Sequence, residues 1–339
     1  MSRRAVWLVV FALAAIAALA PMPAAVVEHW YSGAFFPVVQ HAFTSVTNLV
    51  PFALFDALWI GAIAAAAVLA RRRVIAFGWT LGLVRTAGAL ACAGAVVYLV
   101  FLATWGLNYR RVPMFEKVRF DPGRVTPAAN TALGEWAAAE LNADYADAHA
   151  RAITPDQLLA AFDDVLYALG SSRIVPGRPK PTLLGWYFHQ ASIAGMTDPF
   201  LLETMVAPDL LEVERPFVIA HEWAHLAGYA DESEANFVAY LACRRAGAAA
   251  RYSAALVMIG YARPARDLRK ALALGPRIDL FTIGQRYART SATLRFAARE
   301  GYDKYLKANR VEKGIESYDQ VIQLILGSEF DANGNPRLR

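Results

Sequence analysis

Three stretches of this chain, residues 5–27, about 49–70 and 86–107, carry a single charged side chain between them, Asp56. Each reaches the ~20 residues that let an α-helix cross the ~30 Å hydrocarbon core of a bilayer. That pattern assigns residues 1–109 to a membrane anchor with three transmembrane helices. The composition agrees: 57% hydrophobic residues and a mean hydropathy of +0.31 are too apolar for a chain kept wholly in water. Ser2-Arg3-Arg4 ahead of the first apolar run also fits a signal peptide ending near Ala18-Leu19-Ala20, but Pro21 directly after that site argues against cleavage.

Lys and Arg set the orientation. Arg3 and Arg4 precede the first span, and Arg71, Arg72, Arg73 and Arg85 lie between the second and third, so both regions belong in the cytoplasm. Residues 28–48 hold no Lys or Arg, which puts them, and everything after the third span, outside the cytoplasmic membrane. Asp56 sits near the outer end of its span and reads as a group that reaches the interface. Its alternative is a functional polar contact between helices. Trp105 and Tyr109 read as interfacial anchors.

The net charge of +5 is spread along the chain and never gathers into a phosphate-gripping run, which argues against a nucleic-acid partner. With only Cys92 and Cys243, no disulfide framework is available. From residue 110 the composition turns soluble, and a second domain is expected over 110–330. Thr126-Pro127 opens a helix to about 143, and Thr154-Pro155 opens another that Gly170 closes. Residues 182–188 and 200–206 read as strands, while 252–261, 265–274, 291–307 and 317–326 read as helices. The tail, 331–339, reads as disordered.

The chemistry concentrates in His221-Glu222-Trp223-Ala224-His225, on a helix launched by Pro216 at its first turn. Histidines at i and i+4 share one face, so both imidazoles can point at one zinc ion. Glu222 lies a step around the helix, where its carboxylate can take a proton from water on that metal. The flanking residues are apolar on every side, and burying two histidines and a glutamate without a metal or partners is costly. No Cys pair lies nearby to close a structural site, which favours a catalytic Zn2+ with three protein ligands.

Gly228 is expected to end this helix in a left-handed cap, with Asp231-x-x-Glu234 opening an antiparallel return. Three acids then compete for third ligand. Glu232 shares a face with the small Ala235, Asn236 and Ala239 and ranks first. Glu234, aligned with Phe237, Val238 and Leu241, ranks second, and Asp231, explained more simply as a cap, ranks third.

These residues, with Gly228-Tyr229-Ala230, Glu232-Ser233-Glu234-Ala235-Asn236-Phe237, Asn108-Tyr109-Arg110 and Ser317-Tyr318, resemble a bacterial membrane family known only as a domain of unknown function, number 3810. Glu232-x-x-Ala235-Asn236 is more distantly similar to the second motif of gluzincin metallopeptidases, where the leading Glu binds zinc. That resemblance implies Glu232 as ligand and Asn236 as the group that steadies a ligand histidine. The gluzincins usually carry Asp where Asn236 stands and a much longer segment between motifs. Tyr318 and His189 are candidates to stabilise an oxyanion. Residues 195–199, with 200–206, are candidates for an edge strand that pairs with an extended peptide.

The expectation is therefore an α+β, mostly helical protein of the bacterial inner membrane: transmembrane helices followed by a zincin-like domain outside the cytoplasm, hydrolysing peptide or protein substrates. Two other functions fit the same residues: an inactive metal-binding membrane scaffold, and a zinc amidase acting on cell-wall material.

Overall fold

A computed structural model describes residues 3–262, 268, 270–311 and 320–339. The chain is mostly helical, with few strands. Among the described residues, two helices are each long and apolar enough to cross a membrane, Leu54–Phe77 and Trp79–Thr104. They form a hairpin that reverses at Gly78, whose φ of 78° lies in the left-handed region that glycine enters without steric cost. Both boundaries differ from expectation. Pro51 keeps residues 49–53 out of the first of these helices, and the arginines 71–73 continue it instead of ending it.

Over the expected span 5–27 the helix is interrupted, and its two pieces are long and apolar enough for a membrane span only together, as a bent pair. The first piece, Arg3–Leu19, stops before Pro21 and Pro23, and the chain resumes as Ala24–Thr47 after a bend of 109°. At 17 residues and roughly 1.5 Å rise each, Arg3–Leu19 is shorter than a standard hydrocarbon core. It packs along Trp79–Thr104. The helix Ala24–Thr47 includes a π-helical stretch, Val27–Phe35, and runs under the domain instead of standing as a loop. Glu28 forms an ion pair with Arg111 at 2.8 Å and another with Lys117.

The domain is built around two antiparallel helix pairs. Pro127–Ala150 packs on Ala248–Tyr261, and Arg215–Leu226 packs on Glu232–Arg245, with Pro155–Ala168 behind the latter. Capping follows the sequence signals: the Thr126 hydroxyl accepts from Ala129 N at 3.1 Å, and Thr154 forms a full capping box with Gln157. One small sheet flanks the motif helix, with strands β1 (Pro179–Lys180), β2 (Gly195–Thr197) and β3 (Thr204–Val206) in the order β1-β3-β2. β3 is central, parallel to β1 and antiparallel to β2, so that β1 and β2 are the two edges.

The strand expected over 182–188 is absent. Thr182 begins a turn held by Asp56, and Gly185–Ala191 is helical. Only the end of 200–206 is strand, because Asp198 accepts from Phe200 N and Leu201 N, both at 2.9 Å, and folds the preceding residues into a turn. The tail is not loose: Arg119 N donates to Arg337 O at 2.7 Å and Arg339 N to Lys117 O at 2.9 Å.

Candidate metal centre

The motif helix, Arg215–Leu226, buries all but a few of its side chains, so its polar residues must find partners inside the protein. It ends where expected. Gly228, at φ 82°, lets Tyr229 N return to Ala224 O at 3.0 Å and close a Schellman-type cap. The same turn swings the Tyr229 carbonyl back onto the motif, where it accepts from His225 Nδ1 at 2.8 Å. Arg111 holds the turn from outside by donating to Gly228 O at 2.9 Å.

The return helix, Glu232–Arg245, is capped by Asp231, whose Oδ1 accepts from Ser233 N at 2.9 Å and Glu234 N at 3.2 Å. This orientation brings Glu232 to the histidines. His221, His225 and Glu232 place one ligand atom each within 4.8 Å of one another, the group among the described residues able to hold a metal ion. His221 Nε2 lies 3.1 Å and His225 Nε2 3.7 Å from the Glu232 carboxylate. These values bracket the about 3.3 Å that separates ligand atoms around a tetrahedral zinc with bonds near 2 Å.

The proton positions fit as well. A carbonyl oxygen only accepts, so His225 Nδ1 carries a proton toward Tyr229, and Nε2 is the ring atom that faces Glu232. Burial works against a charged ring, but the Glu232 carboxylate outweighs it and pushes the imidazole up to about 9, so a metal ion there would displace the Nε2 proton. Asn236 Oδ1 likewise accepts from His221 Nδ1 at 3.0 Å. Glu232 Oε2 is buried and accepts no well-formed hydrogen bond, an orphaned anionic oxygen of the kind a cation satisfies. Burial alone would raise the Glu232 carboxyl, but the two imidazoles outweigh it and hold it well below the usual range.

Glu222 sits beside this group. Thr197 Oγ1, on β2, donates to Glu222 Oε2 at 2.8 Å. Gly195 leaves the room: a Cβ there would stand 2.5 Å from Glu222 Oε1. Burial pushes the Glu222 carboxyl up against the lowering influence of the histidines and Thr197.

Other candidates fall elsewhere. Glu234 turns away and accepts from Met114 N at 2.6 Å, Asp231 is spent on the cap, and His189 pairs with Asp209 at 2.5 Å. Tyr318 lies outside the described residues. Trp105 and Tyr109 are not free interfacial anchors, for Trp105 is buried and its indole donates to His225 O at 3.2 Å, while Tyr109 packs edge-on against Tyr305. The residue that sequence reasoning missed is Tyr302 on helix Ala292–Ala308, whose hydroxyl donates to Glu232 Oε1. Its stacking partner Tyr305, one turn on, is the only trace in the sequence, a pair of tyrosines on one helix face.

The profile of a family described as protein of unknown function (DUF3810) matches residues 31–326 of the chain. The chain belongs to this family. For DUF3810, then, Asn108 and the arginines that follow it take on a structural meaning here: Asn108 Oδ1 accepts from Ser32 and Arg111 reaches the cap that aims His225. No curated protein and no solved structure matches the chain.

Proposed function

We propose that this protein is a zinc metallopeptidase of the bacterial inner membrane, with a zincin-like domain on the extracytoplasmic side. The observation that carries the reading is the convergence of His221, His225 and Glu232, with Glu222 beside them. The His221 and His225 Nε2 atoms and the Glu232 carboxylate are the groups that would hold the ion. Bound zinc would supply Lewis acidity toward water and a substrate carbonyl.

The remaining work falls to the chain. Glu222 accepts the proton of the attacking water and passes it to the leaving amine; its upward-shifted carboxyl suits a group that must hold that proton between the two events. The β2 edge runs past Glu222 and suits main-chain pairing with an extended peptide, which aligns a scissile bond over the base. Tyr302, whose hydroxyl donates to Glu232 Oε1 beside the site, joins Tyr318 as a candidate donor to the developing oxyanion, while His189 is turned to Asp209.

The test is the zinc-to-protein ratio of the purified full-length chain, joined to peptide cleavage by the same sample and by Glu222→Gln. A ratio near one, with cleavage that only the parent performs, supports the reading. Absence of bound zinc in chelator-free buffer, or cleavage untouched by Glu222→Gln, sinks it. Zinc binding with hydrolysis of cell-wall fragments and not of peptides would move the substrate to the amidase class.

A further inference from the structure

Helix Ala24–Thr47 is more apolar on its outer face than a helix in water. Its inward face sets Val27, Tyr31 and Phe36 into the core and engages the polar side chains Ser32, Gln40, Thr44 and Thr47 in hydrogen bonds. Ser32 donates to Asn108 Oδ1 at 2.8 Å, Gln40 Nε2 to Val175 O at 2.7 Å, and Thr44 Oγ1 to Leu202 O at 2.9 Å. Its outward face carries Trp30, Val38, Val46 and, just past its end, Leu49, with relative exposures of 67, 69, 63 and 82%. Water-facing helices keep charged and polar side chains on the outer face. An outward apolar face with inward polar contacts is what a helix shows when the medium outside is hydrocarbon.

The direction of the helix decides how it meets that medium. Arg3–Leu19 lies along the membrane-spanning helix Trp79–Thr104, and Ala24–Thr47 is bent from it by 109°. Its axis therefore runs close to the plane of the bilayer. No Lys or Arg occurs from residue 5 to residue 70. The exposed polar side chains of the helix are His29, Ser45 and His41, the last turned to Arg173 O, groups that suit the interface and not the centre of the bilayer.

A second element, distant in sequence, arrives at the same level. Asp56, in the first turn of Leu54–Phe77, accepts from Thr182 Oγ1 at 2.8 Å and Leu183 N at 2.7 Å. This ties the turn that follows β1 to the mouth of the span. From that turn Leu183 and Trp186 project with exposures of 76 and 69%. The Leu183 and Trp186 patch is thus anchored at the start of the span, and Leu49 ends the other patch five residues before it; both are exposed among the described residues.

We propose that helix Ala24–Thr47 lies in the plane of the membrane interface, seated on lipid through Trp30, Val38, Val46 and Leu49, with Leu183 and Trp186 inserted beside it. The partner is the bilayer itself. The helix serves as a seat for the domain: its lower face is dissolved in lipid, and its upper face is bonded to the loops that flank the sheet.

Site-directed spin labelling tests this on the full-length chain in lipid nanodiscs. Nitroxides are placed singly at Val38, Val46 and Leu183, with Glu135 as a water-facing reference and Ile63 as a mid-span reference; both native cysteines are buried. The expected result is a loss of nickel-chelate accessibility and a gain of oxygen accessibility at all three positions relative to Glu135. The three depths should agree with one another and be shallower than Ile63. Chelate accessibility like that of Glu135 would place the helix in water and overturn the proposal. A steady change of depth from Val38 to Val46 would make the helix a spanning one, and exclusion of both reagents would mean a protein partner covers it; either result overturns it too.

Discussion

Glu232 and Glu234 stand two residues apart on one helix, and a rotation of about 200° sends them to different tasks. Glu232 faces the histidines, while Glu234 accepts from Met114 N. Glu232→Ala is expected to abolish zinc binding. Glu234→Ala should keep the metal and lose about 1–3 kcal/mol of stability, because a buried N–H loses its acceptor. Metal analysis and thermal melts of the two variants separate these outcomes. Glu222→Gln should retain full metal content and lose about 10²–10⁴-fold in peptide turnover, the usual span of a general base. A pH effect belongs to Asp198, whose carboxyl burial raises to about 7 against the two backbone N–H groups it accepts. The folded protein then holds a proton that the unfolded chain has released, so stability falls as pH climbs from about 4 to about 7. Melting temperatures followed across that range should decline less steeply in Asp198→Asn than in the parent.

The return after Gly228 is the element on which the centre depends. A cap there turns a carbonyl onto one histidine and starts the helix that delivers Glu232. An alanine at Gly228 must adopt φ 82° and put its Cβ 2.9 Å from Asn108 Oδ1. Gly228→Ala should cost about 1–2 kcal/mol from the backbone alone and weaken zinc affinity, readable by calorimetry of the apoprotein. Much of this was legible beforehand. The i, i+4 histidines, the glycine stop, the aspartate cap and the small-residue face of Glu232 are local signals, set by helix periodicity and capping chemistry. Tyr302 was not legible, since it reaches Glu232 across 70 residues by tertiary packing that no local pattern encodes. The short strands were misread for a related reason: at two or three residues each, they are fixed by partners such as Asp56 and Asp198 and not by alternation.

At the scale of the molecule, the presence of helices long and apolar enough to cross a membrane was readable from charge-free stretches, but the place of residues 24–47 was not. Helix Ala24–Thr47 precedes two spans in sequence and belongs to the domain in space, because Ser32, Gln40 and Thr44 satisfy groups on Asn108, Val175 and Leu202. A chain beginning at Arg110 should therefore fail to give a soluble, cooperatively melting domain, whereas the full chain in detergent should melt in a single transition. Phe101 at the end of its span meets Tyr305, which stacks on Tyr302, which bonds Glu232, and Trp105 reaches His225 directly. No linker intervenes between membrane and centre. A tethered enzyme searches the volume its leash allows; with the activity proposed above, this protein would instead work at a single altitude above the lipid. On that proposal the quantity governing its encounters would be the number of targets per unit area of membrane, and dilution of the surrounding solution should leave turnover untouched.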